Sequence, residues 1–249
     1  MHTLHILHTQ ERPDADQYLV EPWTDNYPYK IPESFPSSYD FGSAMHYSAK
    51  SGLKAKDSRY DATMGQRVMV PFSDWKILNL HWNCSESCRP LPCKNDGFPH
   101  PRNCSKCFCN DFYTGTLCDT PKKTVSLQSS TTINVTLFTP KSEYNKYPGW
   151  RPKDPSRYMH YTPTIIKAPA GRKIRVTILE YSDINRLSSV CEGSALEIVD
   201  GSLSLVGIRY CRENSPQGKT FVSKSNVVGL KASSIFSWPL SAKVKFDVV

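Results

Sequence analysis

The 249-residue sequence predicts a chain of several domains, in which a small disulfide-rich module is followed by an antiparallel β-sandwich. Two observations predict this fold class. Seven of the nine cysteines lie between Cys84 and Cys118, and the other two come much later. After residue 120, short β-branched or alternating runs are separated by Pro, Gly and Ser, as in sandwich strands. The predicted strands include Thr131–Phe138, Lys173–Tyr181, Leu196–Val199 and Lys243–Val249.

Composition and charge exclude several classes of protein. Hydrophobic residues make up 39% of the chain, which is enough for packed cores and excludes a wholly disordered chain. No stretch approaches 18 consecutive apolar residues, so no transmembrane segment is predicted. The first residues also lack the basic and apolar regions of a signal peptide. The net charge of +8 is scattered along the chain, so nucleic acid is not expected as a partner.

The cysteine cluster predicts a small module held together by disulfide bonds. The spacing Cys104-x-x-Cys107-x-Cys109 is also compatible with zinc ligation, but a dense cluster with few apolar runs favours disulfides in an oxidising compartment. The spacing from Cys88 onward, together with Tyr113-x-Gly115-x-x-Cys118, resembles an EGF-like module. That resemblance implies the pairs Cys88–Cys104, Cys93–Cys107 and Cys109–Cys118.

The later cysteines, Cys191 and Cys211, form the next predicted pair. The strand Leu196-Glu197-Ile198-x-Asp200-Gly201 and the run Arg209-Tyr210-Cys211 resemble the second half of a CUB domain. The first cysteine pair of that domain family is absent, so no calcium ligands are carried over to Glu180 or Asp183. These two carboxylates are expected to lie in solvated loops.

The first 83 residues contain two motifs that point to chemistry. Histidines stand at positions 2, 5 and 8, and Ser43-Ala44-Met45-His46-Tyr47 follows later. Three histidines in seven residues can be polar residues along one side of a helix. Neutral imidazoles are also the commonest protein ligands of zinc, so the same pattern can indicate a metal site.

Together the motifs resemble the astacin family of zinc metalloendopeptidases, one of the metzincins. The family motif is H-E-x-x-H-x-x-G-x-x-H-E-x-x-R-P-D, with a later turn S-x-M-H-Y; Arg12-Pro13-Asp14 and Ser43–Tyr47 match it. The resemblance implies that His2 and His8 are the second and third ligands of one Zn²⁺ per intact domain. It further implies that Tyr47 ligates zinc at rest and stabilises the oxyanion during catalysis. Ser43 and Met45 would belong to the structural Met-turn beneath the ligands.

Three departures from the family motif count against activity of the chain as written. The first histidine ligand and the catalytic glutamate would fall before Met1. His5 stands where the family has its turn glycine, and a bulky side chain at positive φ costs energy. Thr9 replaces the glutamate that follows the third ligand. Because a general base typically supplies 10²–10⁴-fold of rate, the chain alone is expected to be inactive. Because one histidine ligand is missing, it is also expected to bind zinc weakly.

Two hypotheses explain these departures: an N-terminal truncation within the zinc motif, or a pseudoenzyme. The unpaired Cys84 favours truncation, because in astacins this cysteine bridges to one near the amino end of the domain. The expected layout is the C-terminal, α+β part of an astacin-like domain (1–84), an EGF-like module (85–119) and a CUB-like sandwich (120–249). A helix is predicted over Trp75–Trp82.

Two classes of function therefore follow. The first is a secreted zinc endopeptidase that cleaves extracellular proteins or peptides, with the EGF-like and CUB modules binding substrates or other extracellular proteins. The second is a non-catalytic extracellular binding module. Secretion is expected from the disulfide modules and fits three possible N-glycosylation sites, Asn83, Asn103 and Asn134.

Overall fold

The computed structural model describes residues 1–21, 37–67, 69–137, 159–183, 191, 194–234 and 239–249. The chain divides into two compact units. The first comprises residues 1–120 together with 204–207, and the second comprises 121–203 with 208–249. The proposed boundary between residues 84 and 85 lies within the first unit and stays a prediction.

The start of the first unit is built from short helical turns. Its 3₁₀ turns are His2–Leu4, Thr9–Glu11, Ala15–Gln17, Ala49–Ser51 and Ser58–Tyr60. They enclose a small core that contains Leu19, Leu53 and Met64, none of which is accessible to solvent. A backbone bridge from Leu19 to Ala55 ties the early turns to the later ones.

One α-helix, α1 (Phe72–His81), follows these turns. It was predicted to begin three residues later. Pro71 precedes it at φ −70°, an angle at which proline starts a helix well, and the backbone N–H groups of Asp74 and Trp75 bond to the Pro71 carbonyl. The first turn of α1 is largely buried, whereas Trp75 and Leu80 are exposed.

The cysteine-rich segment contains two small two-stranded sheets. Strand β1 (Phe98–His100) pairs with β2 (Asn103–Phe108), and β3 (Tyr113–Thr114) pairs with β4 (Thr120–Pro121). Three disulfides hold them together: Cys88–Cys104, Cys93–Cys107 and Cys109–Cys118. Gly115 adopts φ +89°, which a residue with a side chain adopts only at a cost.

The second unit contains two sheets. The five-stranded sheet has the order β10-β9-β12-β7-β5 and the four-stranded sheet the order β11-β8-β13-β6. Every pairing among these described strands is antiparallel except that of β5 with β7. The strands are β5 (Thr124–Ser126), β6 (Ser130–Leu137), β7 (Met159–Lys167), β8 (Ile174–Asp183), β9 (Ser194–Val199), β10 (Ile208–Tyr210), β11 (Thr220–Val222), β12 (Val227–Ser234) and β13 (Leu240–Val248).

Alternation along the strands creates the core of the second unit. Ile174, Val176 and Ile178 of β8 are fully buried, and the residues between them face outward. The same alternation buries Val244 and Phe246 of β13. Contacts of β6 with β7 and of β13 with β9 join the two sheets, so the unit is an antiparallel-rich β-sandwich, as predicted.

The predicted strands agree with the observed ones to within a few residues. Lys243–Val249 becomes Leu240–Val248, because the alternation of buried residues extends back to Leu240. The predicted end of the first strand, Phe138, lies outside the described residues. Within the described ranges, no helix has both the length and the apolar character needed to cross a membrane.

Candidate metal centre

Three of the predicted site residues lie together. The ring centroids of His2 and His8 are 4.5 Å apart, and those of His8 and Tyr47 are 4.3 Å apart, both pairs in edge-to-face geometry. His2 lies on the first 3₁₀ turn, whereas Tyr47 lies more than forty residues further along the chain. The fold therefore brings two imidazoles and one phenol to one place, with His8 in the middle.

The orientation of His8 is fixed by the Met-turn. Its Nδ1 lies 3.0 Å from the carbonyl oxygen of Met45, which can only accept, so Nδ1 carries the proton. The backbone N–H of Thr9 donates to the same carbonyl at 3.2 Å. Because Nδ1 is engaged, Nε2 keeps its lone pair, which is the state that a metal-binding histidine needs.

Tyr47 is held through its backbone. Its N–H donates to Oε1 of Gln10 at 3.0 Å, and its carbonyl accepts from Nδ1 of the neighbouring His46 at 2.6 Å. Gln10 is buried directly after Thr9, so the segment that carries His8 and the Met-turn are bonded to each other in both directions. This arrangement keeps the Tyr47 ring against His8.

His46, to which no role could be assigned from spacing, is fully buried. Its Nε2 lies 2.7 Å from the Tyr39 hydroxyl, and Nδ1 donates to Tyr47, so Tyr39 donates to Nε2. Burial is the main cause that lowers the pKa of His46 to about 4, and burial likewise raises the pKa of Tyr39. His46 is thus a neutral residue that supports the turn.

His5 is found in the left-handed region, at φ 57° and ψ 25°, where the family has its glycine. Its ring lies 5.9 Å from that of Trp82, whose Nε1 donates to the carbonyl of Leu4 at 3.0 Å. The backbone turns sharply here without glycine, at a cost of about 1 kcal/mol.

We expect His5→Gly to be more stable than His5→Ala by about 1 kcal/mol. Both variants lose the contact with Trp82, so their difference isolates the backbone. Urea denaturation of the two variants measures it. Gly52 has φ +90° and open space around its Cβ position, so Gly52→Ala should show a loss of similar size. Equal stability of the two His5 variants would contradict the expected strain.

Arg12 anchors the segment after the histidines. Its guanidinium donates to both carboxylate oxygens of Asp14 at 2.8 Å and to the carbonyl of Ser37 at 3.1 Å. It also lies 5.4 Å from the centre of the Tyr39 ring. The Arg-Pro-Asp part of the motif is therefore a structural element that holds the chain next to the Met-turn.

Sequence reasoning assigned no role to two buried carboxylates beside the Met-turn. Asp40 accepts from Ser73 Oγ at 2.5 Å, and Asp74 accepts from Ser43 Oγ at 2.7 Å, so two Asp–Ser pairs cross between the turn and α1. All four side chains belong to residues that are at most 4% exposed. Burial raises the pKa of Asp40 to about 7 and that of Asp74 to about 6.

These pKa values predict how stability depends on pH. A folded-state pKa above the unfolded value of 3.8 means that the folded protein binds protons more tightly. The contribution of the pair is therefore full below pH 4 and is lost as the pH rises to about 7. The lowered pKa of His46 acts in the opposite sense between about pH 4 and 6.5 and offsets part of this loss. We expect the first unit to become less stable over this interval, and Asp40→Asn to reduce the slope. Denaturation curves at several pH values measure this, and an equal slope in the variant would contradict it.

The two carboxylates that were expected to lie in solvated loops, Glu180 and Asp183, belong to the second unit. Glu180 is exposed and pairs with Lys243 at 3.2 Å, whereas Asp183 is buried and accepts from Ser194 and Tyr181. Both residues lie in strand β8, so the expectation of a loop was wrong for both, and the expectation of solvent exposure was wrong for Asp183. In the part of the chain that the structure describes, no group of three or more His, Cys, Asp or Glu side chains is arranged to hold a metal ion.

The cysteines and sequon asparagines differ in exposure. Cys84 is exposed and is the free cysteine, while Cys191 and Cys211 are buried and joined by a disulfide. All three asparagines, Asn83, Asn103 and Asn134, are exposed, and glycosylation of each stays a prediction.

The first third of the chain matches a known family of peptidases. Residues 1–83 match the family model of Astacin. The chain is 25% identical over 252 residues to "Zinc metalloproteinase dpy-31" of Brugia malayi, a match that covers 92% of this chain and 41% of that protein. It is 26% identical over 235 residues to "Zinc metalloproteinase nas-27" of Caenorhabditis elegans, covering 84% and 54% respectively.

Both relatives are named zinc metalloproteinases, so metalloproteinase is the class of protein that this chain resembles. Within that class, residues 1–83 are similar to the astacin family. It spans only about half the length of these relatives, 41% and 54%.

Two solved structures resemble about half of the chain. The "CUB1-EGF-CUB2 domains of rat MASP-1" match 51% of this chain and 42% of that one, at 15% identity and a TM-score of 0.35. The "Full extracellular region of zebrafish Gpr126/Adgrg6" matches 51% and 14%, at 15% identity and a TM-score of 0.34.

Proposed function

We propose that this chain is part of a secreted zinc endopeptidase of the astacin type. In this proposal, residues 1–84 provide one side of the zinc site, 85–119 form an EGF-like module and 120–249 form a CUB-like domain. The observation that carries the proposal is the placement of the His2 and Tyr47 rings against His8, whose Nδ1 is held by Met45.

The donor types present suit zinc. His2 and His8 would supply two imidazole nitrogens and Tyr47 one phenolic oxygen, all of which zinc accepts. The hydrogen bond from His8 to Met45 is the second interaction that zinc-bound histidines normally make. When bound, zinc supplies a water of lowered pKa and polarises the scissile carbonyl.

The residues of this chain would contribute position and hydrogen bonding. Gln10 and His46 hold the Tyr47 backbone in place. Rotation of the Tyr47 side chain would therefore move its hydroxyl without moving the backbone. Donation from this hydroxyl to the oxyanion of a peptide carbonyl would stabilise the transition state. The substrates are proteins or peptides outside the cell, and the CUB-like and EGF-like modules would bind them or their neighbours.

Two measurements test the proposal. Sequencing the 5′ end of the transcript should reveal codons for His-Glu-x-x immediately before Met1, and an in-frame stop codon there would contradict it. The protein encoded by that transcript should hold one zinc and cleave casein, with loss of cleavage on chelation. His8→Ala should abolish zinc binding, whereas His100→Ala, in strand β1 of the cysteine-rich segment, should leave it unchanged.

A second candidate is a non-catalytic extracellular binding module. It is supported by two departures from the family motif, His5 in place of the turn glycine and Thr9 in place of the glutamate after the third ligand. The stop codon in the transcript, together with absence of zinc from the purified protein, would support this candidate over the peptidase.

A further inference from the structure

We propose that Asp74 is a positioning residue for the His8 imidazole, which it orients through the Met-turn without touching the metal site. This inference deepens the proposed function and rests on it for its consequence on zinc. The part of the inference that concerns the His8 tautomer does not depend on catalysis.

The first step is the contact between α1 and the turn. The two carboxylate oxygens of Asp74 are used separately: Oδ1 accepts from Ser43 Oγ at 2.7 Å, and Oδ2 accepts from the backbone N–H of Ala44 at 2.8 Å. Ser43 Oγ in turn accepts from the N–H of Met45 at 3.0 Å. One buried side chain thus engages three consecutive residues of the turn, two directly and one through the serine hydroxyl.

The second step leads from the turn to the ligand. The same Met45 whose N–H is held by Ser43 offers its carbonyl to His8 Nδ1 at 3.0 Å. The N–H and the carbonyl of Met45 belong to adjacent peptide groups joined at its Cα. A change in the Met45 backbone dihedrals therefore moves the carbonyl away from His8 Nδ1 and removes the acceptor that favours a proton on that nitrogen. The path from Asp74 to His8 therefore runs through the Ser43 hydroxyl and the backbone of Met45.

The third step is the rigidity of the anchor. Asp40 mirrors Asp74: it accepts from Ser73 on α1 and from the N–H of Gly42 at 2.8 Å. Val206, within the first unit, donates its N–H to Asp40 at 3.3 Å. The charged groups that act on the pair are the two carboxylates themselves and Arg67, which favours the ionised form of Asp74. Two crossed Asp–Ser contacts leave the turn little freedom to rotate on the helix.

The test is the tautomer of His8 in the full chain, read from ¹⁵N chemical shifts of labelled histidine at pH 8. We expect the wild type to carry its proton on Nδ1. In Asp74→Ala the ratio of Nδ1–H to Nε2–H should fall about fivefold, the equivalent of one hydrogen bond. Asp74→Asn keeps an acceptor for Ala44 and a polar partner for Ser43, so it should restore most of the ratio.

Two further variants separate positioning from loss of structure. Asp61 accepts from the backbone N–H of Ala55 at 3.0 Å in the same unit, away from the hydrogen bonds of the Met-turn, so Asp61→Ala should leave the ratio unchanged. If Asp74→Ala does not fold, Ser43→Ala removes only the hydroxyl contact and should give a smaller change in the same direction. An unchanged ratio in the folded variants overturns the inference.

Zinc affinity provides the second readout. Where the protein binds zinc, Asp74→Ala should weaken binding about 10–100-fold, as other supporting residues of zinc sites do. Unchanged affinity despite a changed tautomer would overturn the link to the metal. If the wild type binds no zinc, the proposed function fails, and the tautomer ratio alone decides the role of Asp74.

Discussion

We expect Tyr47→Phe, made in the full-length protein that is proposed to be a zinc peptidase, to lower kcat about 10²–10³-fold with little change in KM. This is the effect of removing one oxyanion donor. The Tyr47 ring stays 4.3 Å from that of His8, and its backbone bonds to Gln10 and His46 do not involve the hydroxyl. The variant therefore loses the hydroxyl, both as the proposed resting ligand and as the oxyanion donor, while the ring and backbone contacts remain. Steady-state kinetics with a peptide substrate, at zinc saturation, measures the change.

A matched control is Tyr18→Phe. The Tyr18 ring stacks on that of Tyr39 at 4.4 Å in the same unit, away from the ring contacts that surround His8. We expect its kcat to stay within a few-fold of the wild type. If Tyr47→Phe instead raises KM and leaves kcat unchanged, the hydroxyl binds substrate and transition state equally, and the assigned role is wrong.

Removing the second-unit disulfide destabilises the sandwich by about 3 kcal/mol. Cys191 and Cys211 are both buried and lie 20 residues apart in sequence, so the bond closes a loop of moderate length. The double variant Cys191→Ser/Cys211→Ser also places two hydroxyls in a buried position. Urea denaturation of the full chain, followed by tryptophan fluorescence and circular dichroism, measures the loss.

Cys84→Ser is the control for this experiment. Cys84 is exposed and free, so its sulfur supports no packing, and its replacement should change stability by less than about 0.5 kcal/mol. A double variant as stable as the wild type would show that the sandwich does not depend on the bond, and that the expected contribution is wrong.

Several features of the fold could be predicted from sequence because their signals are local. Alternation in Ile174–Asp183 reveals the buried face of β8 directly. The burial of the run Ser194–Val199 is harder to predict from sequence, because it is buried on both faces although it contains Glu197. That carboxylate is accommodated by Lys231 on the neighbouring strand β12, at 2.8 Å, and no sequence pattern reveals such a partner.

Other features depend on contacts that sequence does not encode locally. The parallel pairing of β5 with β7 involves only Thr124–Ser126, too short a run to predict a direction. At the candidate site, the motifs predict which side chains meet, since His8 and Tyr47 belong to recognised patterns. The crossed contacts of Asp40 and Asp74 could not be predicted, because each carboxylate bonds to a serine more than thirty residues away in sequence.

The position of β13 has a consequence for how the sandwich forms. This strand lies between β8 and β6, and its residue Leu240 pairs with Leu137, about one hundred residues earlier. During synthesis, the edges of β6 and β8 that pair with β13 therefore remain unpaired until β13 has left the ribosome. Such long-range closure is slow and exposes edges that can pair with other chains. Yield in an expression host should consequently depend on chaperone capacity during this interval.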